Sequence, residues 1–480
     1  MRRKLADTLF AIGLALTQVI AVIFYAVYQT TIYNGTELGA EVDANIFRYP
    51  YFQDIHVMIY IGFGFLLTFI HRHRLSSLTM CFWVAALAIQ YYFLFAAMWK
   101  NVFGPYEDII ITPERLILGE VSGAAALIAL SAIIGKTNNL QFLVITIFSA
   151  LLFTLNEEIC IFVLGGRDVG GGMIIHAFGA FYGLGLTIFI NYKKSRNNIN
   201  FSARHSSLTT AMIGTLFLWC FWPSFNAALA TTPSEVFLAV INTYFSIIGS
   251  VIAAYFTTLL IDGGKFAMDP ILNATLAGGV VMGAGADLLF RSYVAYIVGL
   301  LIGILSTLMF HYSPRLLNRF GIYDVAGVMN LHGIPGLIGG LLSAIYRQVY
   351  VDDRGAIQVA VAFISVGIGL VGGLVVGFVV RGFTFYETEN EFFNDLVNVA
   401  VEDEMREKLE IYNPPHAPRS GSEIGQAGNG VPLTVSLAGP NNEGVHFMRT
   451  DPVDNLMTPT TNQPMFRTAH NKTNNLPALD

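Results

Sequence analysis

Long uncharged runs recur along most of this chain, and each is close to the length needed to span a bilayer. A membrane-crossing helix needs roughly 20 mostly apolar residues to traverse about 30 Å of hydrocarbon. Charges, Pro/Gly clusters and polar stretches mark the breaks between runs. They predict an all-α integral membrane protein with about twelve spans, near 7–28, 54–71, 77–98, 115–135, 140–164, 169–191, 207–230, 236–261, 269–287, 291–312, 324–346 and 356–380.

Composition supports a bilayer as the solvent of this region. Hydrophobic residues make up 54% of the chain, charged residues only 12%, and the mean hydropathy is +0.57. The residues therefore divide into a predicted transmembrane channel domain, 1–382, and two further segments. Residues 383–412 form a predicted acidic amphipathic segment. Residues 413–480, rich in Pro, Asn, Gly, Ser and Thr, are predicted to be a disordered tail.

The loop charges predict the orientation. With the amino terminus inside, the cytoplasmic loops and leading segment carry 13 Lys and Arg and the opposite loops carry seven. Positive residues prefer the cytoplasmic side, and an even number of spans then places both termini there. This topology predicts a multi-pass protein of the plasma membrane. It also leaves the Asn34 sequon in the first outer loop, where it could be glycosylated.

Two segments 156 residues apart share one pattern of residues. Asp168 is followed at equal offsets by the same Val, Gly, Met and His residues that follow Asp324, so that His176 corresponds to His332. Five spans separate the two segments, so they must run through the membrane in opposite directions. The sequence therefore predicts two inverted five-helix repeats, an organisation found in many transporters.

The two histidines are the main candidate site residues. Each follows its aspartate by eight residues, which at 1.5 Å per helical residue places it ~12 Å below its own face of the membrane. Entering from opposite faces, His176 and His332 are predicted to meet near the midplane. A single intramembrane histidine is more often a packing residue, whereas a pair related by the repeat favours a transport pathway.

The acidic residues have competing interpretations. Asp168 and Asp324 each precede a span, where a carboxylate caps free N–H groups and complements the helix dipole. For Asp324, together with Asn330, we expect this structural role. For Asp168 capping and the recruitment of cations at an outer vestibule stay open. For Glu157 in the fifth span the alternatives are cation recruitment at that vestibule and a hydrogen bond to a neighbouring helix.

Other functions have little support. No metal-ligand cluster, phosphate-binding loop or nucleophile elbow is visible, so we expect neither an enzyme nor a bound metal or cofactor. The net charge of −6 is modest and gives no reason to expect a nucleic-acid partner. The expected partners are membrane lipid and the transported molecule.

Several blocks of residues resemble the Rh glycoproteins. They are 48–58, 168–183, 221–227, 273–279 and 330–336, and they are distributed along most of the membrane region. The resemblance implies the fold of the wider ammonium transporter superfamily: a homotrimer, one pore per subunit, and a twin-histidine site that corresponds to His176 and His332. It also implies an outer aromatic gate, in which Phe225 matches one phenylalanine while Val121 stands where the other is expected.

The resulting hypothesis is an electroneutral, bidirectional ammonia or ammonium channel. Glu157 or Asp168 gathers ammonium, Phe225 restricts entry, and the histidines provide neutral hydrogen-bonding sites in a hydrophobic pore. Methylammonium and carbon dioxide are further candidate substrates. The alternative is a non-conducting membrane scaffold or ammonium sensor, which acts through cytoplasmic partners of the tail; the presence of both histidines argues against it.

Overall fold

The computed structural model describes residues 2–28, 46–104, 111–383 and 388–400. Within these ranges the chain forms twelve helical segments, of which ten are long and apolar enough to cross a membrane. The Asn34 sequon and the predicted tail, 413–480, lie outside the described residues. In chain order the segments are α1 Arg2–Tyr28, α2 Tyr49–Phe69, α3 Arg74–Phe103, α4 Pro113–Ile133, α5 Asn139–Val163, α6 Gly172–Phe189, α7 His205–Ala227, α8 Pro233–Ile261, α9 Met268–Gly283, α10 Ser292–Arg319, α11 (a π-helical turn Met329–Gly333, then Ile334–Tyr350) and α12 Gly355–Val380.

Local signals in the sequence fix several helix starts. Thr112 accepts a hydrogen bond from the Arg115 N–H at 3.2 Å, directly before the proline that begins α4. Asn138 and Gln141 form a reciprocal capping box at the start of α5. Such caps satisfy N–H groups that have no partner inside the helix. They therefore fix the boundaries of α4 and α5.

Burial separates a central helix from a peripheral one. In α4, 94% of the most apolar window is buried within the chain, whereas in α1 only 11% is buried. A helix buried on all sides is expected to be mostly apolar all round, as the sequence of α4 is after its first turn, apart from Glu120 and two serines. The exposed apolar side chains of α1 are suited to lipid or to another subunit. The first helix thus lies at the edge of the fold.

The acidic segment after α12 packs against the loop between α2 and α3 and the loop between α4 and α5. Between Glu389 and Val397 the described part of this predicted amphipathic segment forms two short 3₁₀ turns. Phe392 and Phe393 are buried, and the Phe393 N–H donates to the Gly135 carbonyl at 2.9 Å. This irregular backbone buries both adjacent phenylalanine side chains more completely than the single apolar face of a helix would.

The two histidine-bearing helices cross at glycines. A Cβ at Gly336 in α11 would lie 2.2 Å from the Gly172 carbonyl oxygen at the start of α6, a distance that no side chain tolerates. Glycine here lets the two backbones touch. This close crossing brings the first turns of α6 and α11 to the same level.

Candidate functional site

His176 and His332 meet in the interior of the fold. Their Nδ1 atoms are 3.2 Å apart, and the rings stack with centroids 5.2 Å apart and an interplanar angle of 10°. Both residues are buried, at 1% and 3% exposure. One Nδ1 must donate to the other, which requires two different neutral tautomers. One Nε2 is then a donor and the other is an acceptor.

Aromatic rings enclose the histidine pair on both sides. His176 stacks on Trp222 at 5.5 Å between ring centroids and contacts Phe225 at 5.6 Å. His332 stacks on Phe63 at 6.3 Å. The His176 Nε2 is buried and has no hydrogen-bond partner in the part of the chain that the structure describes. The site therefore offers isolated polar nitrogens within an apolar surrounding.

Asp168 positions the helix that carries His176. Its Oδ2 atom accepts hydrogen bonds from the Met173 and Ile174 N–H groups at 2.8 and 2.7 Å. Gly171 has a φ of +68°, a conformation that favours glycine, and it turns the chain into a π-helical first turn. Such turns are frequent at functional sites. Here the turn contains His176.

Asp324 performs the corresponding role for His332. Its two carboxylate oxygens accept from the N–H groups of residues 327, 328 and 329 at 2.9 to 3.0 Å. Asn330 donates to the Ser306 hydroxyl at 3.3 Å, which anchors the same π-helical turn. These contacts are structural. The repeat seen in the sequence thus has a matching repeat of hydrogen bonds around the two histidines.

A cavity of about 730 Å³ opens on the side where α6 begins, which we call the outer vestibule after the predicted orientation. Its lining includes Glu157, Asp168, Leu118 and Ile174. Six carboxylates and three guanidinium groups line it, so its charge is negative. A cleft lined by one sign of charge raises the local concentration of the opposite ion.

Several of these charges neutralise one another. Asp287 accepts hydrogen bonds from Arg167 at 2.8 Å and from Arg347 at 3.2 Å, and Arg167 also pairs with Glu235. This cluster joins the segment before α6 to the outer part of α11. Its ion pairs neutralise much of the negative charge that the vestibule would otherwise present to a cation.

Glu157 is held differently. The carboxylate accepts a hydrogen bond from the Tyr92 hydroxyl at 3.1 Å, and Arg115 interacts electrostatically with it. Only 5% of the residue is exposed, yet it lines the outer vestibule. Glu120, a second acid inside the membrane region, pairs instead with His56 at 2.6 Å.

Val121 does not line the outer vestibule. It lies buried in α4, three residues after Leu118, which does line it. Phe225 sits against His176, so the aromatic contact on this side comes from Phe225 and Trp222. The block that contains Trp222 contributed to the resemblance, but sequence reasoning missed its stacking on His176 because stacking depends on how α6 and α7 pack.

A second cavity of about 270 Å³, which we call the inner cavity, lies beyond His332. Phe63, Leu67, Leu272 and Leu331 contribute to its mostly apolar wall. Ile174, two residues before His176, lines the outer vestibule, and His332 lines the inner cavity, so the histidine pair lies between the two cavities. Within the described residues, no group of three or more His, Cys, Asp or Glu side chains could hold a metal ion.

Comparison with known proteins finds relatives that match most of the chain. Residues 14–386 match the model of a family described as the Ammonium Transporter Family. The chain is 36% identical over 386 residues to an ammonium transporter Rh type A of Bos taurus, covering 78% of this chain and 89% of that relative. It is 39% identical over 366 residues to the Bos taurus Rh type C, covering 70% and 78%.

Solved structures show the same architecture. Rh50 of Nitrosomonas europaea, from a study of conduction by the Rhesus protein family of channels, matches with a TM-score of 0.68 and 27% identity. The match covers 78% of this chain and 97% of Rh50. Mep2 of Candida albicans shares the fold with a TM-score of 0.61, at 17% identity, over 71% of this chain and 85% of Mep2.

Proposed function

Because this chain belongs to the ammonium transporter family, we propose that His176 and His332 form the conducting centre of its ammonia or ammonium pathway. The chain is a multi-pass membrane protein, and its relatives are ammonium transporters. The paired rings, 3.2 Å apart at Nδ1 within an apolar surrounding, carry the proposal. They lie between a charged vestibule and a second cavity, where a transported molecule must pass.

The energetics favour ammonia in the narrow part. Transferring an ion the size of ammonium into a medium of low dielectric costs on the order of 20 kcal/mol in the idealised limit. Desolvation also lowers the pKa of an amine by up to ~3–5 units. Releasing the proton is therefore cheaper than carrying it. Ammonia then exchanges hydrogen bonds with one donating and one accepting histidine nitrogen.

The outer vestibule is the proposed place of recruitment. Glu157 and Asp168 line it, and the Asp168 Oδ1 atom is buried with no hydrogen-bond partner among the described residues. Asp168 thus combines capping, through Oδ2, with an oxygen available to a cation. Phe225 restricts the path before His176, without a second phenylalanine at Val121. This makes the proposed gate one-sided.

Assembly and placement follow the family pattern. We propose a homotrimer in the plasma membrane with both termini in the cytoplasm, and electroneutral, bidirectional conduction without any enzymatic step. Exposed apolar residues on α1, such as Ile12 at 59%, suit lipid or a neighbouring subunit. Glycosylation of Asn34 belongs to this proposal, as do methylammonium and carbon dioxide as further substrates.

The test is ammonia flux in proteoliposomes. A stopped-flow pH change under an ammonium gradient, with membrane potential recorded in parallel, compares wild type with His176→Leu and His332→Leu. Each variant should slow flux about tenfold or more, because leucine removes one of the two paired imidazoles and leaves the other without its hydrogen-bond partner. His73→Leu is the matched control, since His73 is also fully buried but lies in the loop between α2 and α3.

Each outcome separates the alternatives. Fast alkalinisation without current, slowed by both pore variants and not by the control, would support an ammonia channel that uses these histidines. Unchanged flux in both pore variants would reject the histidine assignment. No acceleration by well-folded wild-type protein would favour a non-conducting scaffold or sensor.

A further inference from the structure

The inner cavity is much larger than the molecule proposed to pass through it. A water molecule occupies about 30 Å³ of liquid, and ammonia is of similar size. The cavity of about 270 Å³ therefore has roughly nine times that volume. Its wall is largely apolar, with Leu67, Leu272 and Phe310 among the lining residues. Such a wall gains little by contacting ammonia and much by contacting hydrocarbon.

One charged side chain, Asp269, lines this cavity. It makes no hydrogen bond or ion pair with the described residues, and although it lies in the first turn of α9 it does not cap that helix. A partly buried carboxylate without a partner is costly. An incoming cation would supply the partner. The other polar residues of the lining, such as Asn273, carry no charge, and Asn273 already donates to the Ala326 carbonyl.

We propose that the inner cavity binds a primary alkylammonium ion. The ammonium group pairs with the Asp269 carboxylate, and the alkyl chain lies against Leu67, Leu272 and Phe310. This ligand matches both observations at once, an unpaired acid and an apolar space of this size. At roughly 30 Å³ for each heavy atom the volume corresponds to about nine heavy atoms, which is enough for the six carbons and one nitrogen of hexylammonium.

The site differs from the one that the outer vestibule offers to ammonium. In the outer vestibule several acids are paired with arginines, and the wall mixes charged and apolar groups. In the inner cavity one acid faces hydrocarbon side chains. Binding in the inner cavity must therefore strengthen with chain length, whereas a purely electrostatic site would be indifferent to it.

The experiment is calorimetric titration of the purified full chain in detergent with methylammonium, butylammonium and hexylammonium, and with hexan-1-ol as the uncharged ligand. Each added methylene should tighten binding about fourfold, which corresponds to about 0.8 kcal/mol. Hexylammonium should bind at least tenfold more tightly than hexan-1-ol. Asp269→Asn should weaken hexylammonium at least tenfold and leave hexan-1-ol unchanged.

Two further variants complete the design. Asp262→Asn is the matched control, because Asp262 lies on the same face, pairs with His311 at 3.4 Å and does not line the cavity. It should bind like wild type. Ala203→Phe fills part of the cavity from an exposed position, so it should weaken hexylammonium and spare methylammonium even if Asp269→Asn folds poorly.

Three results would overturn the proposal. They are no dependence on chain length, equal binding of hexan-1-ol and hexylammonium, and unchanged hexylammonium binding in both Asp269→Asn and Ala203→Phe. Equal binding of the alcohol would indicate an uncharged occupant such as an acyl chain. Because binding is measured directly, the result does not depend on whether the chain conducts ammonia.

Discussion

The two mouths of the pathway differ more than the two helices between them. The outer vestibule, about 730 Å³, contains six carboxylates and three guanidinium groups; the inner cavity, about 270 Å³, contains one carboxylate. By contrast, α6 and α11 both begin with a capping aspartate and a π-helical turn that holds a histidine. The two repeats are therefore alike at the helix starts, where buried backbone groups need hydrogen-bond partners. They differ in the residues that line the two cavities.

The difference between the capping sites and the cavity linings distinguishes residues needed for folding from residues proposed to recruit cations. Asp168 and Asp324 satisfy backbone N–H groups that would otherwise be buried without partners, a requirement common to both halves. Asp168 and Glu235 line the outer vestibule and also accept backbone N–H groups. Glu157 accepts from the Tyr92 hydroxyl, and for its charge we propose the recruitment of cations. The following four predictions test this distinction.

Removing either capping carboxylate should have the largest effect. Asp168→Ala and Asp324→Ala each delete an acceptor of two or three buried N–H groups, so we expect a loss of about 3 kcal/mol in the free energy of unfolding. Thermal unfolding in detergent measures this loss, together with flux. If Asp168→Ala kept its stability and lost only flux, capping would not be the main role of that residue.

A buried lysine lies beside Asp324, the aspartate that caps α11. Lys136, which follows α4, is fully buried; it donates to the Tyr323 carbonyl at 2.7 Å, and burial lowers its pKa from 10.5 to about 7 although Asp324 opposes this. Between these pH values the unfolded chain binds more protons than the folded chain, so stability should rise with pH from 7 to 10.5. The slope is at most about 1.4 kcal/mol per pH unit.

The variant Lys136→Met removes the titrating group, so its unfolding temperature should rise less between pH 7 and 9 than that of wild type. Arg167, the corresponding neighbour of the outer cap, provides the comparison because Asp287 and Glu235 hold its charge. Replacing it with Met should leave the pH dependence in this window as it is in wild type. An equal change in both variants would argue against Lys136 as the source.

Asparagine substitutions at the two capping aspartates should lower stability by different amounts. At Asp168 both N–H groups go to one oxygen, which an asparagine carbonyl can replace; at Asp324 they are shared between two oxygens, one of which would become an NH₂ group. Asp324→Asn should therefore lose about 1 kcal/mol more stability than Asp168→Asn. Chemical denaturation of both variants measures the difference, and equal losses would contradict the split.

The smallest expected effect is at the outer mouth. Glu157→Gln removes a charge and keeps an acceptor for Tyr92, so the half-saturating ammonium concentration should rise about threefold, with little change in maximal flux. Glu235→Gln, where Arg167 already neutralises the charge, should shift it less. High salt should abolish the difference by screening. A loss of maximal flux in Glu157→Gln would instead assign that residue to conduction.

Much of this protein was predictable because a bilayer constrains sequence strongly. A span must be long and uncharged, so the number of helices follows from the spacing of breaks. Helix length alone would have been a poorer guide to the spans. The helix α9 has only 16 residues, and it was predicted because its sequence is apolar. The histidine pair followed from the repeat, since equal distances from opposite faces lead to the same depth.

Other features required the packed chain. The 3.2 Å approach of the rings, the stacking on Trp222 and the π-helical turns depend on how α6, α7 and α11 press together. The paired state of Asp287, between Arg167 and Arg347, joins residues 60 and 120 positions away, and no local pattern indicates it. The same holds for Asp269, whose lack of a partner is visible only once its neighbours are placed.

The sequence by itself determined the twelve-helix membrane fold, the inverted repeat and the two histidines, because hydropathy and the spacing of the repeat act along the chain. Tertiary structure alone decided which acids are paired, which oxygen of each cap is used and what lines each mouth. Those properties arise where distant segments meet, and electrostatic interactions and burial depend on distance in space rather than on position in the sequence.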